Sequence, residues 1–401
     1  MWRFPPLAVS LTITFIFFYP PQTYAQKFTV TQISVNTKNN QWPQINEKGD
    51  IVWQGKEKIA KKWQIFFYDA AAQTVIPITS DDRNNISPQI NARDQIAWQS
   101  DSGHTGEIFL FDGKVIRQLT ENFLDDRDPR INDKGQVVWE QKQPHDWEIM
   151  LYDGSAVTNI SNNFYDDHNP GINNRGEVAW QGMFGNQEDK IYLYDANTKT
   201  TKEFGKTFHH NRNPSINDEG RIAWESEWNI GDKEFRFDTV GDQPLMIKRD
   251  VYRFWEIFFF DGDQTMELTY NRQNDRKPKI NQKNDIVWER LVLDNWEICL
   301  WNYNPYYKGG DENENEDEDS IKNISDKPFD DINPAMNDEG RVVWQGFDGR
   351  DWEIFCYDGQ VVSQLTNNDY DDTNPQINAK GEIVWQGFNG KDWEIFLARP
   401  Q

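Results

Sequence analysis

The sequence predicts an all-β protein: one eight-bladed β-propeller of four-stranded blades, its last blade closed by the N-terminal strand. Three observations predict this. A short phrase, Pro-x-(Ile/Met)-Asn, begins eight units at Pro43, Pro88, Pro129, Pro170, Pro214, Pro278, Pro334 and Pro375, spaced 45, 41, 41, 44, 64, 56 and 41 residues apart. Each unit reads as a set of short strands and turns, which at a period of roughly 40 to 45 residues means a propeller blade rather than a helical solenoid. The two chain ends complement one another.

Within a unit, Pro opens the first strand, where its missing N–H is harmless. The Asn three residues on (Asn46, Asn91, Asn132, Asn173, Asn217, Asn281, Asn337, Asn378) suits the start of a type I turn. Three residues further lies Gly49, Gly135, Gly176, Gly220, Gly340 or Gly381, or in two units Asp94 or Asn284. These are the residue types that best accept the left-handed conformation closing a bulged hairpin. The second strand follows as an apolar pair and Trp, and its unbroken apolar run implies burial on both faces. A third strand follows, as in Trp147 to Asp153, then an Asp-Gly type turn and a short fourth strand, as in Val115 to Thr120.

Trp53, Trp98, Trp139, Trp180, Trp224, Trp288, Trp344 and Trp385 sit on second strands, and Trp63, Trp147, Trp255, Trp296, Trp352 and Trp393 open third strands. Fourteen indoles at fixed repeat positions are expected to form inter-blade core rather than a sugar-binding platform.

The eighth unit ends at Gln401 after its third strand. Its missing fourth strand is found at residues 28–34, where Gln32-Ile33-Ser34 matches Gln364-Leu365-Thr366. Ser34 precedes Pro43 by nine residues, as Thr366 precedes Pro375 and Thr120 precedes Pro129. Pairing residues 28–34 with the third strand near Trp393 to Leu397 closes the ring and removes exposed sheet edges.

The whole pattern, Asp-x-x-Pro-x-x-Asn-x-x-Gly, then apolar-apolar-Trp, then an Ile-Phe-Leu-Tyr-Asp strand, then Gln-Leu-Thr, resembles the WD40-like repeats of TolB-type β-propellers over residues 27–400. It is a variant, with Asn-x-x-Gly where such repeats carry Ser-Pro-Asp-Gly. The resemblance implies the four-stranded blade and the closed ring. TolB is a periplasmic protein-binding component of an envelope complex, and such repeats also occur in peptidases and lyases, so function must be argued from the site.

Residues 1–25 read as a secretory signal peptide: Arg3, an apolar run from Leu7 to Tyr19, a break at Pro20-Pro21, and Thr-Tyr-Ala before Gln26. The run is too short to span a bilayer, so the mature propeller, 26–401, is expected to be secreted or periplasmic with no transmembrane span. Loss of Arg3 takes the net charge from −24 to −25. That balance disfavours a nucleic-acid partner and favours cations or basic surfaces. Two cysteines, Cys299 and Cys356, make no disulfide scaffold. Their strand offsets let the thiols face one another across adjacent blades, although packed sheets stand further apart than a disulfide spans.

No nucleophile elbow, zinc motif or phosphate loop appears, and the five His (His104, His145, His168, His209, His210) form no metal or triad spacing. The strongest chemical signal is an Asp or Asn three residues before each Pro, preceded by a second Asx in seven units and by His210 in the other, the pairs including Asp125-Asp126, Asp166-Asp167, Asp330-Asp331 and Asp371-Asp372. The inner member is expected to fix a turn. The outer member is expected to be more exposed, and rings of such oxygens suit Ca²⁺, the one cofactor the sequence suggests. Insertions break the period at about 228–250 and 302–320, the second with an acidic run at 311–319 expected to be a solvated loop.

Loop alternation puts the Asx pairs and the first insertion at the same end of the ring. The expected binding face therefore combines Asp125, Asp166, Asp330 and Asp371 with Trp228, Phe235 and Phe237. The expected function is a non-enzymatic binding scaffold that recognises an envelope protein or extracellular glycan on that face. The alternative is a propeller-based extracellular lyase or hydrolase acting on polysaccharide or peptide.

Overall fold

Eight four-stranded antiparallel sheets form a ring, each with its first strand innermost and its fourth outermost. The structure, a computed structural model, describes residues 26–34, 37–57, 61–101, 103, 105–184, 188–205, 209–230, 237–240, 243–246, 252–271, 273–305 and 320–401. Residues 1–25, read above as a signal peptide, and the acidic run at 311–319 lie outside the described residues. Blade 3 shows the plan: Asp126–Ile131, Val137–Lys142, Trp147–Tyr152 and Val157–Asn159 pair in sequence order.

The closure follows the sequence expectation. Phe28–Gln32 pairs with Trp393–Pro400 from Phe28↔Pro400 to Gln32↔Phe396, and the Ile33 N–H continues to the Ile395 carbonyl at 2.9 Å. The fourth strand of blade 8 is thus N-terminal.

The core lies between blades. Ala97, Ile108 and Leu110 of blade 2, for example, pack on Val137, Trp139 and Met150 of blade 3. The eight second-strand Trp are 0–1% exposed. The six third-strand Trp correct the expectation. They are half-buried, because each opens its strand at the rim, where the neighbouring blade no longer covers it. The cysteines form no disulfide and are buried in different layers, Cys299 with blade 5 side chains and Cys356 with those of blade 8, so the thiols do not face one another.

The first strand also differs from expectation. In six blades it starts at the inner Asx, three residues before Pro, and earlier in the other two, at Thr37 and Asn84; in each it bulges just ahead of Pro, as between Arg127 and Arg130. The residue before Pro is left-handed in all eight blades: Trp42, Ser87, Asp128, Asn169, Asn213, Lys277, Asn333 and Asn374, with φ of 53–57°. Bulges absorb a residue with no ladder partner, so Pro sits where no N–H is needed. In six blades a Gln or Glu just after the preceding blade's Trp accepts that left-handed residue's N–H. Glu140 to Asn169 at 2.7 Å and Gln386 to Trp42 at 2.9 Å are two of these.

The turn Asn does more than open a turn. Its Oδ1 accepts two turn N–H groups, as Asn132 does from Lys134 and Gln136. Its Nδ2 donates to the carbonyl of the next blade's turn Asn, from Asn46 to Asn91 and onward to Asn378, which returns to Asn46 at 3.0 Å. Eight such bonds close a circle. A carboxamide accepts on one atom while donating from another, which an ionised carboxylate cannot do and a hydroxyl must do from a single, shorter-reaching atom; no unit carries Asp or Ser at the position. The following left-handed residue is as expected in every unit, Asp94 (φ 61°) and Asn284 (φ 71°) included.

In blade 5 the first insertion lengthens the second and third strands, Ile222–Ile230 and Tyr252–Phe260, and contains the hairpin Phe237–Val240 with Gln243–Met246.

Candidate functional site

The end of the ring carrying the fourth-to-first and second-to-third loops is termed the upper face. In the four Asp–Asp pairs there, both members have structural work. The inner one accepts the indole N–H of its own blade's Trp in all eight blades, at 2.7–3.0 Å, as from Trp139 to Asp126 and from Trp224 to Asn211. The expected turn-fixing role is thus replaced by another structural one: the side chain ties the first strand to the second-strand indole rather than to the backbone of the turn.

Around that contact lies a repeated polar network. Asn163 donates to Asp167 at 2.6 Å, the Asn163 N–H donates to Glu148 at 2.9 Å, and Ser161 donates to the other Glu148 oxygen. The Ile149 N–H closes on Ser161 Oγ at 2.8 Å. Ser34 and Glu394 repeat the arrangement in blade 8, where Ser34 also accepts from the Ile395 N–H at 2.9 Å. The fixed nine-residue spacing from Ser or Thr to Pro reflects this network. Burial pushes the carboxyls of Asp167 and Asp331 up to about 7 and that of Asp372 to about 6, against the lowering effect of their indole donors.

The outer Asx ties two loop families together. Asp125 accepts the Gly106 N–H at 2.7 Å, Asp166 that of Trp147 at 2.8 Å, Asp330 that of Trp296 at 2.9 Å and Asp371 that of Trp352 at 3.1 Å. The structure places Asp125, Asp166, Asp330 and Asp371 half-buried on blades 3, 4, 7 and 8, one to a blade, rather than in one cluster. Their inner neighbours Asp126, Asp167, Asp331 and Asp372 are buried against Trp. Among the described residues, one carboxylate group is tight enough to hold a cation: Asp348, Asp351 and Glu353 of blade 7, with both oxygens of Asp351 buried and unpartnered. His210 instead pairs with Asp189 at 2.9 Å, with Glu227 at 3.9 Å on its other nitrogen.

The upper face also exposes apolar side chains. Phe123 is 99% exposed and Phe164 90%, both six residues before a Pro at the tips of successive loops. Trp42, Leu293, Phe329 and Tyr370 are exposed at the same end. Of the expected aromatic excursion, the Trp228 backbone pairs with Phe254 and the Phe237 backbone with Met246, while Phe235 lies outside the described residues.

Sequence reasoning missed two sets of residues. The first is a trio of cation–π stacks, Arg127 on Trp147 at 3.7 Å, Arg212 on Trp255 at 3.6 Å and Arg276 on Trp296 at 3.3 Å. Each Arg also pairs with the Glu after its blade's Trp: Glu140, Glu225 and Glu289. Burial pushes the Glu140 carboxyl up, but His168, the Asn169 N–H and Arg127 together hold it below its ordinary value. The signal was available, since Glu follows the second-strand Trp only in the three units with Arg two residues before Pro. The second set lines the central channel at the variable position after each Pro and includes Arg130 and Lys279.

The fold has many solved relatives. The β-propeller domain of the Trilobed protease from Pyrococcus furiosus aligns with 14% identity and a TM-score of 0.52, over 83% of this chain and 97% of that one. That domain is described as having an open velcro topology, whereas Phe28–Gln32 closes the ring here. The Pyrococcus horikoshii acylaminoacyl peptidase aligns at 12% and 0.51 over 91% of this chain, which spans 52% of the peptidase. An oligogalacturonate lyase in complex with manganese aligns at 10% and 0.51, over 93% of both chains. At such identities the likeness is one of fold. No family model matches the chain, and no curated protein matches it.

Proposed function

We propose that the chain is an exported, non-enzymatic scaffold that binds an envelope protein on the upper face of the propeller. The observation that carries this reading is the pair Phe123 and Phe164, repeat-equivalent loop tips whose rings stand almost wholly in water. Neither ring packs on the core, so neither serves the fold. Aromatic side chains at the centre of a protein interface act as anchors, and their exposure in the free molecule marks such a surface. Trp42, Leu293, Phe329 and Tyr370 extend the apolar set on the same end. The half-buried Asp125, Asp166, Asp330 and Asp371 and the net charge of −24 favour a partner with a basic rim around apolar pockets. The TolB-like repeat pattern and the leader-like residues 1–25 add to this reading. The alternative, a propeller-borne lyase or hydrolase, draws on fold likeness to peptidases and a lyase.

The test is quantitative cross-linking of 26–401 to an envelope extract, with the double variant Phe123→Ser/Phe164→Ser beside the lower-face control Val115→Ser. The double variant should melt like the parent and lose one defined partner, while the control keeps it. Equal capture by both variants, or a purified chain that cleaves polysaccharide or peptide, overturns the proposal.

A further inference from the structure

The central channel carries charges that run against the rest of the molecule. The chain has 66 Asp and Glu against 42 Lys and Arg. Yet a cavity of about 560 Å³ in the upper channel is lined by three cations, Arg130, Lys277 and Lys279, and a single carboxylate, Glu289. Glu289 is already engaged by Arg276 at 2.6 Å, by Lys277 at 3.3 Å and by the Asn333 N–H at 2.9 Å. Arg130 donates to the Pro129 carbonyl at 2.9 Å and has no carboxylate partner among the described residues, and Lys279 has neither hydrogen bond nor ion pair among them.

Water reaches both side chains, though protein surrounds each. Though both are exposed to the channel, the protein packed around them displaces bulk solvent and pushes both pKa values down, and Lys279 is lowered further by the charge of Arg130. Two like charges in one enclosed space destabilise the empty protein. The fold does not need them, since the equivalent residues of the other six blades are Gln44, Gln89, Gly171, Ser215, Ala335 and Gln376, none of them charged. A local violation that the fold does not explain points to a ligand.

We propose that the upper channel binds a small polyhydroxylated anion, a sugar acid or sugar phosphate, with its acid group between Arg130 and Lys279. The planar guanidinium takes a carboxylate or phosphate through paired N–H bonds, and the ammonium supplies a second, point-like charge. Hydroxyls are met by the carboxamides of Gln89, Gln376 and Asn374, which line the cavity and make no hydrogen bond among the described residues. Below, Ile131, Ile172 and Ile216 line both this cavity and a lower one of about 260 Å³, whose lining includes Glu47, Asp133 and Asp218. Carboxylates at the lower mouth repel an anion, so it enters from above and stops at the cationic belt.

The test is calorimetric and thermal-shift titration of 26–401 at constant ionic strength with glucuronate, glucose 6-phosphate, glucose and inorganic phosphate. Glucuronate or glucose 6-phosphate should bind and raise the melting temperature, and whichever does so identifies the acid; glucose should do neither. The variant Arg130→Gln/Lys279→Gln, freed of its like-charge pair, should melt at or above the parent and bind the acid sugar at least about ten-fold more weakly, the factor that one decade in Kd represents. Failure of both acid sugars to bind at millimolar concentration overturns the proposal. So does unchanged affinity in the double variant, or inorganic phosphate binding as tightly as the sugars. Phe123→Ser/Phe164→Ser should leave this binding intact, which separates the channel site from the docking face.

Discussion

The circle of asparagines can be broken at one atom. In Asn132→Asp the two acceptor bonds from the N–H groups of Lys134 and Gln136 survive, but the NH₂ group is replaced by oxygen. That group donates to the Asn173 carbonyl at 2.8 Å and to Gln136 Oε1 at 2.8 Å, and the residue is 4% exposed. Two lost bonds at roughly 1 kcal/mol each, plus a buried carboxylate oxygen set against two other oxygens, come to about 3 kcal/mol. Unfolding entropy near 2.1 cal/mol/K per residue, over the 376 residues of 26–401, converts this to a fall of about 4 °C in melting temperature. The assay is urea and thermal unfolding at pH 8 and again near pH 4. Protonation at the lower pH returns a donor to the site, so the gap from the parent should narrow. Asn378→Asp, which breaks the link between blades 8 and 1, should behave alike. A variant within about 0.5 kcal/mol of the parent at pH 8, or a gap that ignores pH, refutes the circular-bond argument.

Deleting 26–34 exposes the edge of Trp393–Pro400 and removes Ser34 from Glu394, so unfolding should begin earlier and become less cooperative by circular dichroism; a truncated chain that melts like 26–401 refutes the closure. The buried carboxyls set a pH trend. Asp167 and Asp331 lie near 7 and Asp372 near 6, above the unfolded value of about 4, so the folded chain holds protons that the unfolded chain releases. Their contribution is full below about pH 4 and lost as pH rises through about 7. The urea midpoint should therefore fall between pH 5.5 and 8, and Asp331→Asn, which copies Asn40, Asn85 and Asn211 of other blades, should raise it at pH 8 and flatten the trend. The carboxylates of Asp348, Asp351 and Glu353 should take up Ca²⁺, raising the melting temperature in millimolar Ca²⁺ over chelator in the parent but not in Asp351→Asn; equal melting of the parent in both solutions removes that site.

What was legible in the sequence is what the ring repeats. Trp at one position and Asn at another are set by a bond made again in every blade, and nine residues between Ser or Thr and Pro by one made in seven of eight, Gly205 being the exception, so comparing units amounts to reading the fold. Partners were less legible than positions. The inner Asx could be assigned a structural role, but its donor, an indole thirteen residues away, appears only when the first and second strands pair. The third-strand indoles recur in six of the eight units and still lie at the rim, because periodicity reports that a position matters and not which neighbour covers it. The bulge before Pro was hidden for a related reason: five of its eight left-handed residues are Asn or Asp, but Trp42, Ser87 and Lys277 break the pattern and hold that conformation through the surrounding backbone.

The candidate site follows the opposite logic. A residue that serves the ring must recur around it, whereas one that serves a ligand need occur only where the ligand lies. Arg130 and Lys279 occupy a position that varies freely between units, three blades apart, and only the closed ring brings them to one channel. The Arg–Glu–Trp modules of blades 3, 5 and 6 are likewise departures shared by a subset of units, and in two of those blades the channel cation stands three residues after the stacked arginine, as Arg130 after Arg127 and Lys279 after Arg276. Blades 3 and 6 are therefore the two that carry both the rim module and a channel cation, whereas blade 5 carries the module with Ser215 at the channel position. Stiffening the start of the first strand at Arg127 and Arg276 holds the segment that aims Arg130 and Lys279 inward, since guanidinium stacking and ion pairing at one end of a six-residue strand restrict its other end. In a molecule otherwise built by repetition, the paired asymmetry of these two blades is the strongest argument that the channel, and not only the outer loops, has a ligand of its own.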